Sequence, residues 1–134
     1  MMGKLDEVFA FNENALRLRG QRQQLLASNI ANADTPNYKA KDMDFGKAMQ
    51  SALASGRSAG AVSLAQTNTG HLSAQLSAQL PGTFMRKPTQ NNLDGNTVDM
   101  DVERNNFLEN SMQYEADVDF AQNKIKGLLA VLQG

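Results

Sequence analysis

The sequence predicts a mainly α protein. Two long terminal helices are expected to pair as an antiparallel coiled-coil-like unit, joined by an irregular and at most weakly β middle segment. Two observations predict this class. Apolar residues recur at helical spacing from about Lys4 to Ala33 and from about Asp101 to Leu132. Between these stretches the composition shifts toward small and polar residues, which cannot supply a packed core.

Composition narrows the class of protein further. The chain has 134 residues, 41% of them hydrophobic, no cysteine and a formal net charge of −1. This length allows at most one ordinary domain, and the charge gives no general attraction to nucleic acid. The lack of cysteine removes disulfides and thiol chemistry. No apolar run is long enough for a membrane span, and the first residues lack the pattern of a cleaved signal peptide.

The first helix carries two neighbouring seams, each a row of residues at alternating spacings of four and three. The first seam, polar near its middle, comprises Leu5, Phe9, Asn12, Leu16, Arg19, Gln23, Leu26 and Ile30. The second seam comprises Val8, Phe11, Ala15, Leu18, Arg22 and Leu25. A two-stranded coiled coil needs one narrow seam. Two seams predict that this helix has more than one neighbour.

The first helix is predicted to stop near Ala33 and to release the chain in a fixed direction. Pro36 lacks a backbone donor and restricts Thr35 to extended conformations. Asn32 is a poor residue for a helix interior, because its side chain competes for nearby backbone groups. Asn37 tolerates the left-handed conformation. These residues together predict a sharp exit of the chain.

The middle of the chain, residues 34–100, is expected to connect the two terminal helices. Its first part, Lys39-Ala40-Lys41-Asp42, is interpreted as a solvated connector. Apolar residues four apart predict a short helix over residues 44–54. Residues 55–92 contain few apolar residues and two proline-containing turns, so they are interpreted as a flexible loop region.

The last helix has the strongest periodic pattern. A turn signal at Gly95-Asn96 leads into Val98, so we expect extended chain to about Asp99 and helix from about Asp101. The helical seam is apolar except at one position, and comprises Phe107, Ser111, Tyr114, Val118, Ala121, Ile125, Leu128 and Leu132. At about 1.5 Å per residue this helix spans roughly 50 Å, which is longer than a compact domain of this size needs.

Each terminal helix can cover only part of the other's apolar surface. We therefore predict that residues 1–33 and 101–134 form an assembly domain that becomes ordered against copies of itself or related subunits. The positions expected to pack against subunits are Leu5, Phe9, Leu16, Leu26, Ile30, Phe107, Tyr114, Val118, Ala121, Ile125, Leu128 and Leu132. An ordinary three- or four-helix bundle is the alternative.

No set of residues predicts catalysis or ligand binding. His71 is the single histidine, and a solvated loop position suits it better than the role of a catalytic base, which needs a positioned partner. The acidic residues Asp99, Asp101 and Glu103 lack the order of a calcium-binding loop, so they are assigned to helix capping and solvation. We predict that the chain is not an enzyme and has no cofactor-binding or metal-binding residues.

Two motifs resemble the signatures of bacterial flagellar rod, hook and related axial proteins. The amino-terminal signature is carried by Asn29-Ile30-Ala31-Asn32, Thr35-Pro36 and Tyr38, with Asn37 where the family usually has glycine. The carboxy-terminal signature is carried by Leu93-Asp94-Gly95-Asn96-Thr97-Val98-Asp99-Met100-Asp101. The short length is most similar to that of the small proximal rod subunits. The resemblance covers both terminal thirds well and the middle poorly.

The resemblance implies a structural subunit of the flagellar basal-body rod. Such subunits would pack helically around a central channel near the membrane ring and transmit torque to the hook and filament. Export would be by the type III apparatus without a cleaved signal peptide, with the periplasmic rod as the destination. The implied partners are copies of the chain, other rod subunits, the rod-adaptor protein FliE, the membrane ring and the export gate. Nucleic acid, cofactors and direct membrane insertion are not expected.

The resemblance also assigns a role to the two motifs. Their residues would set the exit from the first helix and the start of the last, and comprise Asn29, Ile30, Asn32, Thr35, Pro36, Tyr38, Gly95, Asn96 and Val98. Two alternatives remain open. One is another small rod protein, and the other is a soluble helical adaptor or export chaperone, which would need neither motif.

Overall fold

The structure, a computed structural model, describes residues 2–57, 82–88 and 92–134. Within these ranges the elements follow in the order α1 (Met2–Ala31), β1 (Lys41–Met43), α2 (Phe45–Arg57), β2 (Thr83–Met85) and α3 (Met100–Gln133). Two long terminal helices with a short strand-containing middle confirm the predicted mainly α class. No helix in the described part of the chain is long and apolar enough to cross a membrane.

Helices α1 and α3 pack against each other in antiparallel directions. Asn29 near the end of α1 contacts Glu103 near the start of α3, whereas Arg19, ten residues earlier, lies 3.7 Å from Asp117. The predicted pairing of the terminal helices is therefore confirmed.

The polar middle of the α1 seam meets the polar position of the α3 seam. The Gln23 amide donates to the Ser111 hydroxyl at 2.6 Å. The buried Asn110 amide donates to the Arg19 carbonyl and to Gln23 Oε1 at 2.9 and 2.7 Å. Buried polar contacts of this kind favour one register of a helix pair over others.

The second seam of α1 packs against the middle of the chain. Its buried residues Ala15 and Leu18 form one core cluster with Met43 from β1 and with Ala48 and Met49 from α2. Partly buried residues that surround this cluster are Leu25, Phe45, Ala52 and Leu53. Helix α1 thus has more than one neighbour, as its two seams predicted.

Strands β1 and β2 form a two-stranded antiparallel sheet. Lys41 pairs with Met85, Asp42 with Phe84 and Met43 with Thr83. The ladder continues through the Arg86 N–H, which donates to the Ala40 carbonyl at 2.8 Å. This pairing holds the returning chain, residues 82–88, beside α1.

The middle of the chain departs from two predictions. The prediction that residues 39–42 form a solvated connector is wrong, because Ala40 and Asp42 are buried between the sheet and the helices. The short helix begins one residue later and ends three residues later than the predicted 44–54. It begins at Phe45 because the Asp44 carboxylate caps its first turn by accepting from the Lys47 N–H. Residues 55–92, predicted to be a flexible loop region with at most weak strands, lie mostly outside the described residues, and the described part includes the short strand β2.

The boundaries of the terminal helices follow local capping. Helix α1 ends at Ala31, two residues before the predicted Ala33. Asp99 is extended, with φ −111° and ψ 111°, and its carboxylate accepts from the Asp101 and Val102 N–H groups. Helix α3 therefore begins at Met100, next to the predicted start, and the expected extended chain up to Asp99 is confirmed.

Candidate assembly site

The two sequence motifs meet at one place, which we call the motif joint and define as residues 29–38 together with 94–98. The Asn37 N–H donates to the Asp94 carbonyl at 2.8 Å, and the Thr97 N–H donates to the Tyr38 carbonyl at 3.0 Å. The Lys39 ammonium reaches the Gly95 carbonyl at 2.6 Å. The exit from α1 and the approach to α3 are therefore one structural unit, which sequence reasoning treated as two.

Asn96, a residue of the carboxy-terminal motif, binds the turn that follows α1. Its amide Nδ2 lies 3.0, 2.8 and 2.8 Å from the carbonyl oxygens of Asn32, Ala33 and Thr35. Its Oδ1 accepts from the Val98 N–H at 2.8 Å. These three carbonyls lie in the turn that follows α1, whose last residue is Ala31, so a residue 64 positions away fixes the exit of the chain from the helix.

Two residues of the joint have left-handed backbone. Asn37 has φ 62°, as its sequence position predicted, and Gly95 has φ 73°. A Cβ atom on Gly95 would lie 2.5 Å from Asn37 Oδ1, which is closer than real contacts allow. Position 95 therefore favours glycine for its backbone conformation, and a Cβ atom there would also displace the Asn37 side chain.

Asn29 anchors the joint to the sheet and to α3. The side chain is fully buried. Its Nδ2 donates to the Lys41 carbonyl at 2.6 Å and to Glu103 Oε2 at 3.1 Å. Its Oδ1 accepts from the Lys41 N–H at 3.0 Å and from the Tyr38 hydroxyl at 3.3 Å. One asparagine thus satisfies buried polar groups from three parts of the chain.

A buried ion cluster lies beside Asn29 and consists of Arg22, Asp42, Arg86 and Glu103. Arg22 Nε lies 3.0 Å from Asp42 Oδ1, and Arg86 Nη2 lies 2.8 Å from Asp42 Oδ2. The other terminal nitrogen of Arg86 pairs with Glu103. Asp42 and Glu103 are buried and the two arginines are partly buried, so each buried carboxylate has a positive charge beside it.

Sequence reasoning missed this cluster. Glu103 was assigned to capping and solvation, and this is wrong because its side chain is fully buried. Asp42 is 20 residues from Arg22 and 44 residues from Arg86. No local pattern connects positions this far apart. A charged residue between buried apolar neighbours, such as Asp42 beside Met43, would have been the only local signal.

The Asp42 carboxyl is ionised at neutral pH. Burial by itself raises the pKa of Asp42, but hydrogen bonds from Arg22, Arg86 and the Met43 N–H outweigh it. The pKa of Asp42 consequently lies below its ordinary value of 3.8. The carboxylate is therefore a permanent partner for both arginines at the pH of growth.

The positions predicted to pack against subunits differ widely in exposure. Leu26 is buried, and the partly buried positions are Phe9, Leu16, Ile30, Phe107, Val118, Ala121 and Leu128. The exposed positions are Leu5, Tyr114, Ile125 and Leu132. Further large apolar side chains are exposed on α3, namely Leu108, Met112, Phe120, Leu129 and Val131. Pairing with α1 therefore leaves much of the apolar surface of α3 uncovered.

Two open grooves run between α1 and α3. The larger, about 430 Å³, is lined by Gly20, Gln23, Gln24, Ala27, Phe107, Ser111, Tyr114 and Glu115. The smaller, about 280 Å³, is lined by Leu5, Val8, Phe9, Lys124, Gly127, Leu128 and Val131. Small residues at Gly20 and Gly127 leave room in each. The described residues include no group of three or more acidic or histidine side chains placed to hold a metal ion.

Known proteins are similar to this sequence over nearly its whole length. Residues 10–39 match a family described as "Flagella basal body rod protein". A relative from Escherichia coli (strain K12), named "Flagellar basal body rod protein FlgB", is 47% identical over 137 residues, covering 99% of this chain and 98% of its own. A relative of the same name from Salmonella typhimurium is 44% identical, covering 100% of this chain and 99% of its own.

The chain belongs to the FlgB family of flagellar basal body rod proteins. It is accordingly a structural protein of the basal-body rod, as the resemblance implied. The similarity extends through the middle of the chain, which the two motifs do not cover. The alternative of a soluble helical adaptor or export chaperone finds no support among these relatives.

Proposed function

We propose that the chain assembles into the rod through the apolar surface that α1 and α3 leave exposed. Copies of the chain and other rod subunits would cover this surface in a helical array around a central channel. The array would transmit torque by close packing, and the chain would catalyse no reaction. The single observation that carries the proposal is the exposed apolar surface along α3, with Ile125 48% and Leu132 82% exposed.

The magnitude of burial supports an assembly role for this surface. Complete burial of a leucine or isoleucine side chain contributes about 1.5–3 kcal/mol. Ile125 at half exposure therefore gives up about half of that contribution in the single chain. Each neighbouring subunit that covers such residues supplies the missing part. This favours a helix that becomes fully stable only in the assembly.

The proposal extends to the division of the chain and to its surroundings. Residues 1–33 and 101–134 act as the assembly domain, and residues 34–100 act as the connecting segment. The family resemblance supports FliE, the membrane ring and the export gate as neighbours. It also supports the periplasmic rod as the destination, reached by type III export without a cleaved signal peptide.

The test places a charge on the exposed seam. Ile125→Asp should prevent incorporation into the rod, because assembly would bury an unpaired carboxylate. The matched control is Asn123→Asp, which adds the same charge at an exposed position on the same helix. Incorporation is measured by mass spectrometry of purified basal bodies, and motility is scored in parallel.

Circular dichroism of the isolated chain distinguishes a defect in assembly from a defect in folding. Ile125 is already half exposed, so the aspartate variant should keep the helical circular dichroism of the unaltered chain. Normal motility and normal rod content of the Ile125→Asp variant would refute the assigned packing surface. Equal loss in the Asn123→Asp control would show that added charge, and not the seam, is responsible.

A further inference from the structure

The outer face of the two-stranded sheet carries a basic patch around an exposed methionine. We call it the strand patch and define it as Lys39, Lys41, Met85 and Lys87. Met85 is 63% exposed and pairs directly with Lys41. The hydrogen bond from Arg86 to Ala40 continues the ladder and places Lys39 opposite Lys87. Alternate residues of a strand share one face, so all three lysines lie on the face of Met85, where Lys41 and Lys87 flank it and the Lys39 ammonium is bound to the Gly95 carbonyl.

Helix α3 carries a surface of opposite character. We call it the helix stripe and define it as Leu108, Met112, Glu115 and Asp119. These residues follow one another at spacings of four, three and four, so they share one face of the helix. All four are exposed, Leu108 at 61% and Met112 at 71%. Two apolar side chains thus lie next to two carboxylates.

The two surfaces complement each other in charge and in apolar content. The lysines of the strand patch match the carboxylates of the helix stripe, and Met85 matches Leu108 and Met112. Either surface placed against its own copy would bring like charges together, which opposes association. The helix stripe of another copy therefore fits the strand patch better than a second strand patch does.

We infer that the strand patch of one copy docks on the helix stripe of the next copy in the rod. This contact joins two different surfaces, and such head-to-tail contacts generate rings or open helical arrays, whereas self-complementary contacts close into dimers. The inference rests on the proposed function, because it specifies how copies of a rod subunit contact one another.

Cross-linking tests the contact directly. The chain has no cysteine, so Met85→Cys and Met112→Cys each introduce a single thiol. Cells that produce both variants with different tags would be used to purify basal bodies, which are treated with a short bismaleimide. The expected product is a dimer that carries both tags. A control pairs Met112→Cys with Leu93→Cys, which is exposed outside both surfaces, and should give no such product.

Charge exchange tests the energetics. Two double variants are compared. One carries Lys41→Glu and Lys87→Glu, and the other carries Glu115→Lys and Asp119→Lys. Each should lower rod incorporation about tenfold, because two attractive pairs become repulsive. Combining all four changes should restore incorporation. Lys39 is left unchanged because it holds the motif joint. Lys47→Glu, an exposed change on α2, should incorporate normally.

The outcomes separate the contact from the function. Absence of the unaltered chain from basal bodies would overturn the proposed function itself. Presence of the chain with cross-links only between identical thiols, or only to a different rod subunit, would overturn the docking contact and leave the function standing. Failure of the combined charge exchange to restore incorporation would also overturn the contact.

Discussion

Single residues of the motif joint link parts of the chain that are distant in sequence. Asn29 and Asn96 can do this because an amide side chain donates and accepts at the same time. Asn96 binds the turn after α1 and also accepts from the Val98 N–H before α3. Gly95 permits the turn that delivers Asn96. The end of one helix and the approach to the other are therefore formed together.

The three hydrogen bonds from the Asn96 amide give a prediction at the residue scale. Asn96→Ala leaves the carbonyls of Asn32, Ala33 and Thr35 without this donor, and should lower the free energy of unfolding by about 1–3 kcal/mol. The measurement is urea unfolding of the full chain followed by circular dichroism. Asn105→Ala, at an exposed position on α3, is the matched control. Equal unfolding midpoints for the two variants would show that these hydrogen bonds from Asn96 do not stabilise the fold.

At the scale of elements, the buried ion cluster connects α1, β1, the segment after β2 and α3. Arg86 has the widest role, because it contacts both Asp42 and Glu103 and so ties the returning chain to the terminal helix. A charged contact favours this arrangement of the elements more strictly than an apolar contact would, because each charge needs a partner of opposite sign. Removal of one charge leaves its partners buried and unpaired, which is costly.

The pKa of Asp42 predicts how this connection depends on pH. The pKa is lower in the folded chain than the value of about 3.9 in an unfolded one. Asp42 therefore contributes stability above about pH 4, and the contribution is lost as the pH falls through the folded-state pKa. The stability difference between the unaltered chain and Asp42→Asn should be large at pH 7 and should shrink below pH 4.

Urea unfolding at a series of pH values measures this difference. Asp6→Asn, an exposed change on α1, serves as the control, and should differ little from the unaltered chain at any pH. A stability difference for Asp42→Asn that stays constant from pH 7 to pH 3 would show that the Asp42 charge does not hold the cluster.

At the scale of the whole molecule, the helix pair is anchored at one end only. The motif joint and the ion cluster lie beside the second half of α1 and the first turns of α3, and the core cluster packs on the middle of α1. The opposite end has the smaller open groove and exposed apolar residues such as Leu5 and Leu132. In the single chain the helix pair is therefore well packed at one end, and its other end exposes apolar residues that neighbouring subunits would cover.

Hydrogen exchange should reveal this asymmetry. In a dilute, monomeric sample the amides of residues 103–112 should exchange more slowly than those of residues 120–132, because only the former lie beside the anchored end. Protease should cut the far end of α3 first. Strong and uniform protection along the whole of α3 would contradict the expectation that this helix is completed by assembly.

The sequence by itself determined the two long helices, their pairing, the second neighbour of α1 and the start of α3. Helical periodicity and capping are local properties, so residues such as Leu18 and Asp99 reveal them without a structure. Only the tertiary structure decided that Asn96 binds the turn after α1, that Glu103 is buried and that Asp42 is not solvated. These side chains are satisfied by partners tens of residues away, and whether a polar group is buried depends on which partners the fold brings to it.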